Sequence, residues 1–116
     1  MAAVKAYDLA HKAGEYALER KANEVLILDL RKITSITDYF VICSGDADVQ
    51  VRAIANNIIT KLKEEDINVW NVEGFESGRW ILLDFVDVVF HIFDEEYRDY
   101  FNLEMLWGDA KRLSID

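Results

Sequence analysis

No proline occurs anywhere in the 116 residues, and the chain holds one cysteine, two histidines and five scattered glycines. Without proline, a low-complexity tract or an internal repeat there is no linker on which to divide it, so a single domain spanning 1–116 is expected. One thiol, Cys43, excludes an intramolecular disulfide, and with only His11 and His91 beside it no Cys/His set can close a zinc site. Long apolar runs are also missing. The most apolar stretch, Trp80 to Phe93, carries Asp84, Asp87 and His91, too short and too polar to span a bilayer. Met1 to Asp8 lacks the basic start, apolar block and cleavage site of a secretory signal. These absences point to a cytoplasmic protein with no membrane segment.

Positive charge is scarce, and unevenly so. The net charge is −9, a balance that repels a phosphate backbone and argues against direct DNA binding. Up to Lys63 there are nine basic and eight acidic residues. From Glu64 onward only Arg79, Arg98, Lys111 and Arg112 stand against fourteen carboxylates, a local charge of −10. That half should face water or a basic partner.

What is abundant is apolar content, at 52%, and its spacing sets the elements. Ala3 to Lys21 carries apolar residues near the helical period, and Val51, Ile54, Ala55, Ile58, Ile59 and Leu62 make a stripe on a second helix reaching about Glu65. Val25 to Leu30 and Tyr39 to Cys43 read as buried strands joined by the loop Arg31 to Thr37. Asp46 or Asp48 is expected to cap the second helix. Val69 to Val72, Trp80 to Phe85 and Asp87 to Phe93 read as three further strands, the last two a hairpin. A terminal helix through Tyr100, Leu103, Leu106 and Trp107 should turn all four to one side. The expected fold is therefore α/β, a mixed five-stranded sheet flanked by helices in the order α-β-β-α-β-β-β-α.

Three sets of residues invite chemistry. Asp46 and Asp48, with Asp84 as a third acid, could share a divalent metal in a nucleotidyltransferase-like enzyme, but no Gly-rich loop with lysine supplies a phosphate clamp, and capping is a sufficient use for the pair. Cys43 and His91 both fall on strands and could be neighbours; a buried thiol and a histidine hydrogen-bonded at the core edge is the plainer reading. In Trp80 to Asp84, alternation puts Trp80, Leu82 and Asp84 on one side and Ile81 and Leu83 on the other. An exposed tryptophan and leucine beside carboxylates is the composition of a protein-binding centre; helices on both sheet faces would instead make Trp80 core.

Across Ala6 to Ala110 the chain resembles the ribosomal silencing factor family, RsfS or Iojap-like. The shared blocks are Thr37 to Gly45, Gln50-Val51 with Ile54-Ala55, Glu73-Gly74, Trp80 to Asp84, Asp87 to Val89 with His91 to Phe93, and Arg98 with Leu103 to Trp107. The resemblance implies a nucleotidyltransferase-like core without a working metal site and a cofactor-free, non-enzymatic regulator of translation. It implies binding to the large ribosomal subunit through ribosomal protein number fourteen, which would sterically block joining of the small subunit and repress translation. Carried over by motif, the partner-binding residues are Glu73, Gly74, Trp80, Leu82 and Asp84. As an alternative to such a partner, the exposed sheet face could serve only to form a homodimer of the free protein. The chain departs from the family at Val86, where glycine is usual, at Phe101, where tyrosine is usual, and at Met105, where a basic residue is common.

Overall fold

The computed structural model describes residues 5–113 and 115. Its elements are α1 (Ala6–Glu19), β1 (Asn23–Asp29), β2 (Tyr39–Gly45), α2 (Asp48–Glu64), β3 (Asn71–Glu73), β4 (Trp80–Asp84), β5 (Val88–Asp94), α3 (Glu95–Phe101), α4 (Leu103–Leu106) and β6 (Lys111–Leu113). The strands form one mixed sheet in the order β3-β4-β5-β2-β1-β6, in which β2 and β5 run parallel and every other neighbouring pair is antiparallel. The α/β class and the β4–β5 hairpin match the reading of the sequence. The strand count does not: β6 adds a sixth strand against β1, pairing Leu28 with Arg112.

Both long helices lie on one face of this sheet. The small residues Ala10, Ala13 and Ala17 of α1 let its backbone approach, while Val51, Ile54, Ala55, Ile58 and Leu62 form the buried stripe of α2. They pack on Ile27, Val41, Cys43, Ile81, Leu83, Phe90 and Ile92. Each fully buried aliphatic side chain in this layer contributes about 2 kcal/mol of transfer free energy. Asn57 ties the helices together, its Nδ2 donating to the Tyr16 carbonyl (2.8 Å) and to Glu19 Oε1 (3.0 Å).

The opposite face is only partly covered. Leu28, Leu30, Ile42 and Phe93 meet Leu103 and Ala110 of the C-terminal segment, with Phe40, Trp80, Tyr97 and Trp107 half-buried around them. This segment is where the sequence expectation fails. In place of one helix there are two short ones, broken at Asn102, whose φ of 46° puts it in the left-handed region. Its N–H donates to the Arg98 carbonyl (2.9 Å), closing α3 as an αL cap. The break sends Tyr100 and Leu106 into solvent, while Leu103 is buried and Trp107 half-buried, so the four do not share a side.

The start of α2 also differs from expectation. Its N-cap is Ala47, and neither Asp46 nor Asp48 caps through its side chain. Asp48 instead pairs with Arg52 one turn on (2.6 Å), and the free Asp46 N–H donates to Gln50 Oε1 (2.7 Å). Gln50 reaches back from the first turn to the residue before the N-cap, which ties the incoming chain to the helix but satisfies none of the first-turn donors. At α3 the cap is the carboxylate of Asp94, which accepts from the Tyr97 N–H (2.8 Å).

Candidate functional site

Pairing register builds the open face row by row. Residues opposite one another in a ladder share a face, so Asn71, Asp84, Val89, Phe40 and Leu28 make one row and Glu73, Leu82, His91, Ile42 and Leu26 the next. Trp80 and Phe93 begin a third. The five residues carried over by motif therefore come together on β3, β4 and the turn between them. Glu73 and Gly74 are exposed, and Trp80, Leu82 and Asp84 are each half-buried, while Ile81 and Leu83 point under the helices.

Trp80 sits at the boundary of the covered region. Its indole stacks on Phe93 (centroids 5.0 Å apart) and meets Phe101 of α3 (4.8 Å). Its Nε1–H donates to His91 Nδ1 (3.1 Å), which fixes the ring and leaves the proton of neutral His91 on Nε2. Burial disfavours the imidazolium and pushes the His91 pKa down to about 4, so the acceptor role of Nδ1 persists at neutral pH. Gly74 has a φ of 78°, and a Cβ there would lie 2.1 Å from the Trp80 carbonyl oxygen. Glycine is thus what lets the β3–β4 turn close over the start of β4. Asp84 Oδ1 accepts from the Val86 N–H (2.7 Å), which orients the carboxylate along the turn.

Two depressions flank this row. One, of about 300 Å³, is lined by Ile36, Trp70, Asp84, Val86 and Val89. The other, about 590 Å³, lies beyond Phe101 among Arg79, Glu96, Tyr97, Asp99 and Tyr100, with the Arg79 guanidinium 5.2 Å from the Tyr97 ring centroid. The sequence reading passed over Trp70 and Ile36, because an apolar side chain at a strand border or in a loop belongs to no periodic pattern. The one signal was Val86 in place of the usual glycine, and it has a φ of 75°.

The enzymatic alternatives separate in space. Asp84 is level with Phe40 at the start of β2, whereas Asp46 follows the end of β2. Six residues of extended chain put about 20 Å between them. Asp46 accepts from Asn23 Nδ2 (3.0 Å), and the Arg52 guanidinium beside Asp48 holds that carboxyl below its ordinary range. Among the described residues, no group of three or more His, Cys, Asp and Glu is placed to hold a metal ion. Cys43 and His91 are not neighbours across the ladder: Ile42 is the partner of His91, so adjacent Cys43 points to the helix face. Burial there raises the thiol pKa to about 12 and leaves it unreactive.

In open α/β sheets, ligands enter at the carboxyl ends of parallel strands. Here that place is filled by Arg98, buried, whose Nη1 donates to Ser44 Oγ (3.2 Å) and the Asn23 carbonyl (3.2 Å). Its Nε lies 3.5 Å from Glu104, and Glu95 Oε1 accepts from Ser44 Oγ (3.0 Å) and Asn23 Nδ2 (2.9 Å). This cluster anchors α3 to β1 and β2.

Residues 3–116 match the model of a family described as ribosomal silencing factor during starvation. The chain is 45% identical over 98 residues to ribosomal silencing factor RsfS of Bacillus subtilis (strain 168), covering 84% of this chain and 83% of that protein. A crystal structure of a Chromobacterium violaceum protein superposes with a TM-score of 0.88 at 36% identity, over 90% of this chain and 88% of the other. A second crystal structure, from Bacillus halodurans, gives 0.77 at 36% identity over 93% and 95%.

Proposed function

The chain belongs to the ribosomal silencing factor family, and from that premise we propose that it represses translation by occupying a protein on the large ribosomal subunit. The partner is large-subunit ribosomal protein number fourteen, and the contact runs through Glu73, Gly74, Trp80, Leu82 and Asp84. A body of this size on the joining face excludes the small subunit by volume alone, so neither cofactor nor chemistry is required, and the work is done in the cytoplasm. The observation that carries this reading is the half-covered sheet face. Trp80 offers an oriented indole and Leu82 a flat aliphatic patch, with Glu73 and Asp84 at the border, the make-up of an interface core with a charged rim. A local charge of −10 from Glu64 onward steers such a face toward a basic protein and away from bare RNA.

Co-sedimentation with purified large subunits tests the proposal. Binding should weaken as salt rises, Trp80→Ala should lower affinity by about 2 kcal/mol or more, and subunit joining should recover in parallel. Because Trp80 also packs on Phe93, Asp84→Asn serves as a second variant with little effect on the core. Wild-type affinity in both folded variants would remove this face as the contact.

A further inference from the structure

Three large apolar side chains stand exposed around a single groove at the end of the open face: Ile36 at 84%, Trp70 at 72% and Val86 at 57%. They come from three separate segments, the β1–β2 loop, the residue before β3 and the β4–β5 turn. Backbone hydrogen bonds hold those segments together, from Trp70 N–H to the Asp84 carbonyl (2.8 Å) and from Asp38 N–H to the Asp87 carbonyl (2.9 Å). Apolar surface gathered this way, rather than scattered singly, marks a contact site.

Val86 sharpens the point. A β-branched residue at a φ of 75° is strained, and glycine would relieve the strain while keeping the N–H that bonds Asp84 Oδ1. What valine adds over glycine is its side chain, and that side chain is a wall of the groove. Among the described residues of the lining, Asp84 is the only one that carries a charge. Its Oδ1 is held by the turn, and no hydrogen bond among the described residues engages Oδ2.

Aliphatic walls, an indole and one oriented carboxylate fit a long cationic side chain. Its methylenes lie against Ile36, Val86 and Val89, and its head reaches Asp84 beside the face of Trp70. We infer that the groove holds a lysine or arginine of the basic partner, a second anchor at the opposite end of β4 from Trp80; the inference rests on the docking reading above. Charge selects this occupant over a second copy of the chain, since two copies would each bring the same acidic half and an Asp84 to the contact.

The test is large-subunit co-sedimentation of the full chain carrying Trp70→Ala, Val86→Gly or, as an exposed apolar control on α2, Val49→Ala. Trp70→Ala should weaken binding about 10-fold or more, and its effect should combine less than additively with Asp84→Asn. Val86→Gly should weaken binding several-fold while its thermal midpoint stays at or above wild type, a pairing that a purely structural valine would not give. Val49→Ala should bind as wild type. If Trp70→Ala and Val86→Gly keep full affinity while Trp80→Ala loses it, the groove assignment is overturned and the docking face stands. If the wild type fails to bind large subunits, both readings fall. A wild-type dimer in sizing that Trp70→Ala dissolves would put a second copy in the groove and overturn the cationic occupant.

Discussion

Acidification should destabilise this fold through His91, and the size of the effect follows from its surroundings. In the unfolded chain the imidazole titrates near the ordinary histidine value of about 6.5. In the native state burial pushes the pKa down to about 4, and Nδ1 is occupied by the indole N–H of Trp80. Between those two values the unfolded state binds the extra proton and the native state does not. Stability therefore falls as pH drops, and integrating the linkage from pH 7 to pH 5 gives a loss of about 2 kcal/mol. The decline should level off below the folded value. Protonation there would set two donors, the indole N–H and the new Nδ1–H, against each other and release Trp80 from its orientation. Urea denaturation at pH 7 and pH 5 measures the loss, and His91→Leu supplies the reference, because it removes the proton site at nearly constant volume. Asp48 and Glu65, whose carboxyls are held below their ordinary range by Arg52 and by Lys12 and Tyr16 respectively, lose their contribution only at lower pH. The two proteins should thus differ in slope over this window. Equal losses in wild type and His91→Leu would refute the assignment of the pH dependence to His91.

Other perturbations report on how the site is held. Arg98→Ala should cost about 3 kcal/mol or more in chemical denaturation, because it leaves Glu104 without its cation and unties α3 from Ser44 and Asn23. The double change Arg98→Met with Glu104→Leu should recover most of that loss. Gly74→Ala should cost about 2 kcal/mol or more through its left-handed φ and the clash with the Trp80 carbonyl, and the near-ultraviolet circular dichroism of Trp80 should change with it. Cys43, buried and with its thiol pKa raised to about 12, should react with a disulfide reagent at neutral pH only on the timescale of unfolding.

Much of the fold was legible because its signals are periodic. The alternation in Trp80 to Asp84 assigned each side chain to the face it occupies, and the stripe on α2 named five of its buried residues, with Ile59 only half-buried and the buried Asn57, a polar residue bonded to α1, outside the apolar pattern. What escaped was short or non-local. Lys111 to Leu113 is too brief for alternation to register and becomes a strand only because β1 presents a free edge. The break at Asn102 carries no proline or glycine; it depends on one asparagine accepting a left-handed φ. Likewise, the groove at Ile36, Trp70 and Val86 exists only once three distant segments meet, so no window of sequence contains it. On the open face, the side taken by Trp80, Leu82 and Asp84 could be read from alternation, but not the His91 bond that orients the tryptophan.

Why the face is open at all follows from topology and length. With β2 and β5 parallel at the centre, the crossover between them carries α2, and α1 shares its side of the sheet, so both long helices cover the same face. Only the segment after β5 remains to cover the other. A six-stranded sheet is about 24 Å wide between its outermost strands, whereas the seven residues of α3 make a helix of about 10 Å. The left-handed turn at Asn102 then redirects the chain toward β1, where Leu103 and Ala110 pack on Leu28, Leu30 and Ile42. Cover is thereby spent on the β2–β1 side, and its margin falls at Phe101 against Trp80. An indole at such a margin is held on one side and wet on the other, which supplies orientation before any partner arrives and leaves apolar area still to be buried when one does. The acidic residues then need only lie beyond the margin, on β3 and at the β4–β5 turn, where the sheet has no helix to shield them.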